Sequence, residues 1–336
     1  MSEQVTWLLP VKNGMPYLPE TLASIEAQTY KNWEVLAWDN GSTDGTVEEL
    51  KKWIPSRLPG RVVTDSPLPL GECLAEMVRQ ANTEFCARID ADDINFPERL
   101  EKQVDFLLKN SDIAVLGSQI NCIDQNGKKH HLRMEYPLVH DDIVHYMLRT
   151  CAMSHPTVLF RRSAILAVGN YRDVFVDGNR YFCEDYDLWL RVATRFKLNN
   201  LDLTLLNYRV HDRSITRITS AENMTTRAEN DCLCRNAPLL YGCLEEDAQL
   251  LREWCHPEPI KVLMQIAEYL DRTQESNVPD RLRSKSFIGV GRQMMSSKDV
   301  ISCLRWAALN QNKLAILREL IVIAKRGTRL FRFLKM

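Results

Sequence analysis

Several features that would quickly settle the function of this chain are missing from it. Its ten cysteines form no CxxC pair, and Cys232-Leu233-Cys234 is too tight for a zinc knuckle. No apolar run approaches the length that spans a bilayer. A secretory h-region is also lacking, because Glu3 precedes only a short apolar run that suits a first core strand. The expectation is a cytoplasmic protein with reduced thiols, most of them buried as small apolar groups. Neither sign of charge dominates: the net charge is −1, which gives no reason to expect a nucleic-acid partner. Internal repeats and low-complexity stretches are absent. His130-His131 and Cys255-His256 lack the partner spacing of a metal site, and the sequon Asn40-Gly41-Ser42 carries no meaning in a cytoplasmic chain.

What is present is ordinary globular composition. The 336 residues, 45% apolar and 26% charged, suffice for one large domain or two. Apolar strands and amphipathic helices alternate from the start. Val5-Thr6-Trp7-Leu8-Leu9 reads as a buried strand ended by Pro10, and Leu18, Leu22 and Ile25 give the next segment helical spacing. Glu34–Trp38 is a second strand. It ends on the polar turn Asp39–Thr46, where Thr43 or Asp44 caps the following helix. Further strands are expected at 61–64, 85–89 and 113–117, with helices at 71–81 and from Leu100. This alternation predicts a parallel, doubly wound sheet, whose ligands bind beyond the carboxyl ends of the strands. The loops after Pro10, at Asp39 and at Asp90–Asp93 would then share one rim.

From 121 to 173 the pattern loosens, with a hairpin expected at 120–128, a helix at 141–149 and a strand at 157–161. A late strand, Leu205–Val210, delivers His211 at its end. After about residue 220 only helices are expected, at 224–235, 245–254, 259–270, 281–295, 297–310 and from 313.

Two acidic stretches carry the chemistry. Asp90-Ala91-Asp92-Asp93 puts three carboxylates into four residues between a strand and a helix. Carboxylates that close stay ionised together most easily around a cation or several donors, although a solvated Asp-rich turn is the plain alternative. Arg88, just before them, is placed to pair with one. The second stretch is Glu184-Asp185-Tyr186-Asp187, leading into a helix. Its plain alternative is an acidic first turn that complements the helix dipole. Asp187 reads as a surface or capping residue, Trp189 as core, and His155-Pro156 as a structural loop.

Taken together, several segments resemble the family 2 inverting glycosyltransferases. They are Pro10-Val11-Lys12-Asn13, Gln28-Thr29, Glu34 through Asp44, Asp90–Asp93 with Pro97-Glu98-Arg99-Leu100, and Glu184–Trp189. The resemblance spans the chain to about His211. It implies the GT-A fold: an α/β, Rossmann-like architecture with a mostly parallel central sheet, here followed by an all-helical C-terminal extension. The glycosyltransferase domain is expected at 1–220, with a nucleotide-sugar half at 1–117 and an acceptor half at 118–220. The helical region then covers 221–336.

The resemblance also implies a nucleotide-sugar donor, usually a UDP-sugar, and a divalent metal, Mn or Mg. Transfer would be of hexosyl or N-acetylhexosaminyl type, to a glycan or lipid-linked glycan. Asp39 corresponds to the partner of the uracil ring, accepting its N3–H. Pro10 and Asn13 shape the base and ribose pocket. Lys12 stands where the family commonly has Tyr, and its charge suits a phosphate. Asp90 and Asp92 match the DxD pair, with Asp92 foremost for metal contact and Asp93 able to share it. His211 sits where many such enzymes place a metal-facing His; a hydrogen-bonded His at a strand end is its alternative. Asp185 matches the catalytic base, which takes the acceptor hydroxyl's proton.

The tail from Lys313 to Met336 has seven Lys/Arg against one Glu, 7 − 1 = +6, with apolar residues interleaved. It reads as a peripheral membrane contact at the inner face of the cell membrane, or as a closing helix with a solvated basic face. The helical region also offers a homodimer surface. Two other functions fit less well. A sugar-nucleotide pyrophosphorylase would want a Gly-rich phosphate loop, which Pro10–Met15 does not supply. A catalytically silent nucleotide-sugar-binding scaffold would not need both acid sites.

Overall fold

The computed structural model describes residues 3–241 except 66, 133, 148–149, 213 and 215–223. The helices expected after residue 241, the basic tail with its membrane contact, the dimer surface and the boundary near 220 lie outside the described residues. Strand β1 (Val5–Val11) is buried along its whole length because it is central in an eight-stranded sheet and covered on both faces. The other strands are β2 (Trp33–Asp39), β3 (Gly60–Val63), β4 (Phe85–Arg88), β5 (Ile94–Asn95), β6 (Ile113–Ile123), β7 (Leu159–Arg161) and β10 (Lys197–Arg209). A separate hairpin joins β8 (Val174–Val176) to β9 (Asn179–Tyr181).

The sheet order is β3-β2-β1-β4-β7-β6-β10-β5. The first four strands are mutually parallel, as alternating strands and helices predict. β7 is antiparallel to both β4 and β6, and β5 is antiparallel to β10, so the sheet is mixed but mostly parallel. Two antiparallel steps through β7 restore direction. β6 and β10 therefore run the same way as β1, and the carboxyl ends of β1, β2, β4 and β10 share one rim.

The strand period of two sorts side chains to two faces. Val5, Trp7, Leu9 and Val11 join a cluster with Leu18, Leu22 and Ile25 of helix α1 (Leu18–Glu26) and with Leu100, Val104 and Leu107 of α4 (Arg99–Lys109). Leu8 and Leu36 are buried outside that cluster, on the side of α3 (Leu70–Gln80), which buries Leu74, Met77 and Val78. The remaining helices of this unit are α2 (Thr46–Trp53), α5 (His140–Tyr146), α6 (Arg162–Ala167) and α7 (Glu184–Ala193). A further helix spans Met224–Tyr241, and the compact unit ends within it at Glu229.

Three local expectations are corrected. Pro10 does not end β1. Its nitrogen faces the side of β4, whose pairing stops at Leu8↔Arg88, so no N–H is needed at that position. The hairpin expected at 120–128 shrinks to a turn and one bridge, Ile123↔Lys129, because residues 113–123 form a single long strand held by β10. Asp187 is neither a surface nor a capping residue. It is fully buried, with Arg172 donating to both its oxygens at 2.7 and 2.8 Å and Arg191 Nε at 2.9 Å.

Two pins fix the acidic loop between β4 and α4. Gln28 donates to the Phe96 carbonyl, and its side-chain oxygen accepts the Leu100 N–H at 3.1 Å, serving a helix start that has no side-chain cap of its own. Arg99 is fully buried. Its guanidinium donates to Asn95, Gln103 and the carbonyls of Arg88 and Val158, and lies 5.0 Å from the Trp7 ring centre. Burial without a hydrogen-bonded carboxylate pulls its pKa down to about 9.

Candidate active site

The rim begins with two loops zipped together. Asn13 sits in the left-handed region at φ 54°, its oxygen accepting the Thr43 N–H at 2.9 Å and its own N–H donating to Ser42 Oγ. Met15 N–H donates to Asp44, which also accepts from the Thr46 N–H and so serves the start of α2. Lys12 and Asn13 are exposed on this loop, and Pro10 is buried beneath it.

Asp39 ends β2 and is 4% exposed. One carboxylate oxygen, Oδ2, accepts the N–H groups of Gly41 and Ser42, each at 3.1 Å. The other, Oδ1, is buried without a partner. Such an orphan acceptor is expensive unless a ligand N–H reaches it.

Asp90, Asp92 and Asp93 bring one oxygen each to within 4.8 Å of one another. Arg88, almost fully buried, pairs with Asp90. His211 Nε2 lies 2.8 Å from Asp92 Oδ2, with its ring tilted against Tyr17. Asp93 is fully buried: Oδ1 accepts the Arg209 N–H at 2.8 Å, and Oδ2 has no partner. Arg209 also donates to the Asp92 carbonyl and to Glu20, so the end of β10 clamps the loop from the far side.

Burial, the Asp92 charge and the Asp90 charge together push the Asp93 carboxyl well above its usual range. Asp90 is pushed the same way by burial and by Asp92, with Arg88 opposing. Three carboxylates around an orphan buried oxygen fit a hard divalent cation, which would remove the repulsion that otherwise favours protons there.

The second acidic stretch starts α7. Among the described residues, two donors reach the Asp185 side chain. Tyr186 N–H donates to Oδ1 at 2.7 Å, and the Cys151 thiol stands 3.6 Å from Oδ2. Burial raises the Asp185 pKa, while these two donors and the Arg88 charge oppose it. Burial and the Asp185 charge push Glu184 up to about 8.

Asp90, Asp92, Asp93 and His211 are thus gathered directly, with Asp39 on the same rim. Asp185 is linked to them through the field of Arg88. Sequence reasoning missed Arg209 and Cys151. An arginine within an apolar strand two residues before His211 was a signal for the first, whereas nothing local marked Cys151.

Residues 6–169 match the sequence model described as Glycosyl transferase family 2. The chain is 30% identical over 216 residues to an O-antigen biosynthesis glycosyltransferase, WbnJ, of Escherichia coli, covering 63% of this chain and 82% of that one. It is 27% identical over 209 residues to the UDP-Gal:alpha-D-GlcNAc-diphosphoundecaprenol beta-1,3-galactosyltransferase of Escherichia coli, covering 62% and 74%. A mannosyltransferase from Pyrobaculum calidifontis, solved in complex with GDP-Man and Mn2+, shares the fold at a TM-score of 0.55 and 14% identity, over 96% of this chain and 86% of that one.

Proposed function

The chain belongs to glycosyltransferase family 2, with the GT-A fold, and on that premise we propose that it transfers a sugar with inversion from a UDP-sugar to a glycan or lipid-linked glycan. The observation that carries this reading is the pairing of a tight cluster of three carboxylates with a separate, sparsely bonded carboxylate. On the donor side, the orphan Asp39 Oδ1 accepts the N3–H of uracil, and its neighbour Oδ2 is already held by backbone. Pro10, Lys12 and Asn13 line the nucleotide, with the Lys12 charge directed to phosphate. Asp90 helps to hold the nucleotide-sugar.

Asp92, Asp93 and His211 would hold the divalent ion, Mn or Mg, the first two through carboxylate oxygens and the third through imidazole. The mixture of imidazole and carboxylates suits Mn better than Mg. When bound, the ion supplies positive charge for the departing diphosphate. On the acceptor side, Asp185 takes the proton of the attacking hydroxyl. Its raised pKa makes it a better base than a surface carboxylate, and it is ionised only above that raised value.

A surface-polysaccharide role is supported by the O-antigen relative, and a lipid-linked acceptor by the diphosphoundecaprenol relative. Release of UDP from UDP-galactose, UDP-glucose and UDP-N-acetylglucosamine, with and without Mn2+, tests the assignment. Mn2+-dependent release of UDP supports it. No release from any UDP-sugar, alongside turnover of GDP-mannose, would overturn the uracil reading.

A further inference from the structure

We propose that Cys151 is a positioning residue for Asp185, its thiol turning between the Asp185 carboxylate and the Met153 carbonyl as that carboxylate loses and gains a proton. The inference rests on Asp185 being the base of the proposed transfer. Cys151 is only partly buried, and its sulfur has two acceptors within reach: the Met153 carbonyl at 3.3 Å and Asp185 Oδ2 at 3.6 Å. A thiol has one proton, which swings about the Cβ–S bond, so it serves one acceptor at a time.

While Asp185 is ionised, the charged oxygen attracts that proton and Oδ2 is held in place. Once Asp185 has taken the acceptor's proton on Oδ2, a donor aimed at that oxygen would oppose it. The Met153 carbonyl then accepts the thiol proton, and the sulfur, a weak acceptor, faces the new O–H on Oδ2.

The segment that carries the thiol is itself anchored. Thr150 Oγ1 donates to the buried Glu229 carboxylate at 2.8 Å, so Cys151 follows a fixed residue. Among the described residues, the other titratable or charged groups facing Asp185 are Glu184 on α7, Arg88 on β4, Glu229 on the helix Met224–Tyr241 and the Tyr171 phenol. Burial and the Asp185 charge hold the Cys151 thiol well above its usual range, so the sulfur remains a donor throughout the working pH.

Sulfur matters here because S–H is a weak donor. A hydroxyl would hold the ionised carboxylate more firmly and make it a poorer base, whereas a methyl group would not orient it at all.

The protein alone gives the first test. In Asp185→Asn the charge beside the thiol is removed, and iodoacetamide labelling of Cys151 at pH 8, read by peptide mass spectrometry, is expected to accelerate at least about threefold. An unchanged labelling rate would overturn the contact.

The second test is the pH profile of UDP release from UDP-galactose, UDP-glucose or UDP-N-acetylglucosamine, whichever the native protein turns over fastest. The acid limb is expected to rise by about half a pH unit in Cys151→Ala and to fall by about half a unit in Cys151→Ser. A limb that stays in place in both variants, with Asp185→Asn inactive, overturns the role of Cys151 and leaves the base standing. Native-like turnover in Asp185→Asn overturns the base, and with it the role given to the thiol.

Discussion

The stretches Asp90–Asp93 and Glu184–Asp187 look alike as letters, each with three acids in four residues, yet their surroundings are opposite. The first is ringed by fixed partners: Arg88 on Asp90, His211 beside Asp92, and the Arg209 N–H on Asp93. It nevertheless keeps an orphan oxygen at Asp93. The second splits by role within one helical turn. Asp187 is buried between two arginines, Asp185 meets one N–H and one weak thiol donor among the described residues, and Glu184 is pushed up to about 8 by burial and Asp185. A cluster that holds its carboxylates rigidly at close quarters suits a cation. A carboxylate with few donors and a raised pKa suits a proton.

Asp185→Asn should give the largest break in this contrast. Transfer is expected to fall by about 10²–10⁴, the usual worth of a general base, while calorimetric binding of UDP with Mn2+ stays native-like. Equal losses in binding and turnover would place Asp185 on the donor side instead.

Asp187→Asn tests the opposite character of the same turn. It removes the carboxylate charge that faces Arg191, whose side chain is 11% exposed, and should cost roughly 3 kcal/mol in urea unfolding. The half-exposed Arg172 can turn to water, which keeps the loss at the low end for a broken buried pair. Turnover per folded molecule should survive. A variant that is inactive yet fully stable would show that Asp187 is more than a strut.

The donor-side cluster should respond to metal rather than to acceptor. Mn2+ at a hundredfold over its dissociation constant should stabilise the native protein by about 2.7 kcal/mol, and Asp92→Asn should abolish most of that thermal shift. Without metal the sign of the pH dependence is also set. Asp93 is raised in the folded state, so it contributes stability as pH falls from that raised value towards 3.8, and metal should flatten this trend in thermal melts.

Asp39→Asn should have the smallest effect, raising KM for the UDP-sugar about tenfold with kcat little changed, as expected for one charge-assisted hydrogen bond to the base. A tenfold fall in kcat at constant KM would move Asp39 out of the nucleotide pocket.

Much of the fold was legible because it is written in short windows. Leu18, Leu22 and Ile25, or Leu100, Val104 and Leu107, show helical spacing within a dozen residues and are all buried. The order of strands and acids likewise placed Asp39 and Asp90–Asp93 on one rim. The insertion of β7 between β4 and β6 was not legible, because a three-residue antiparallel strand leaves almost no periodic signal. Pro10 misled because its tolerance depends on where the neighbouring strand stops, which is a property of the sheet.

The sequence by itself determined the alternation of strands and helices, the positions of the acids along the chain and the family they mark, since periodicity and spacing are local. Only the tertiary structure decided what each acid does. A carboxylate's charge state depends on burial and on the donors that face it, and here those donors arrive from far along the chain. Arg209 reaches Asp93 across 116 residues and Cys151 reaches Asp185 across 34. Three acids within four residues of one helix thus became a Glu184 whose pKa burial raises, a candidate base at Asp185 and a buried strut at Asp187.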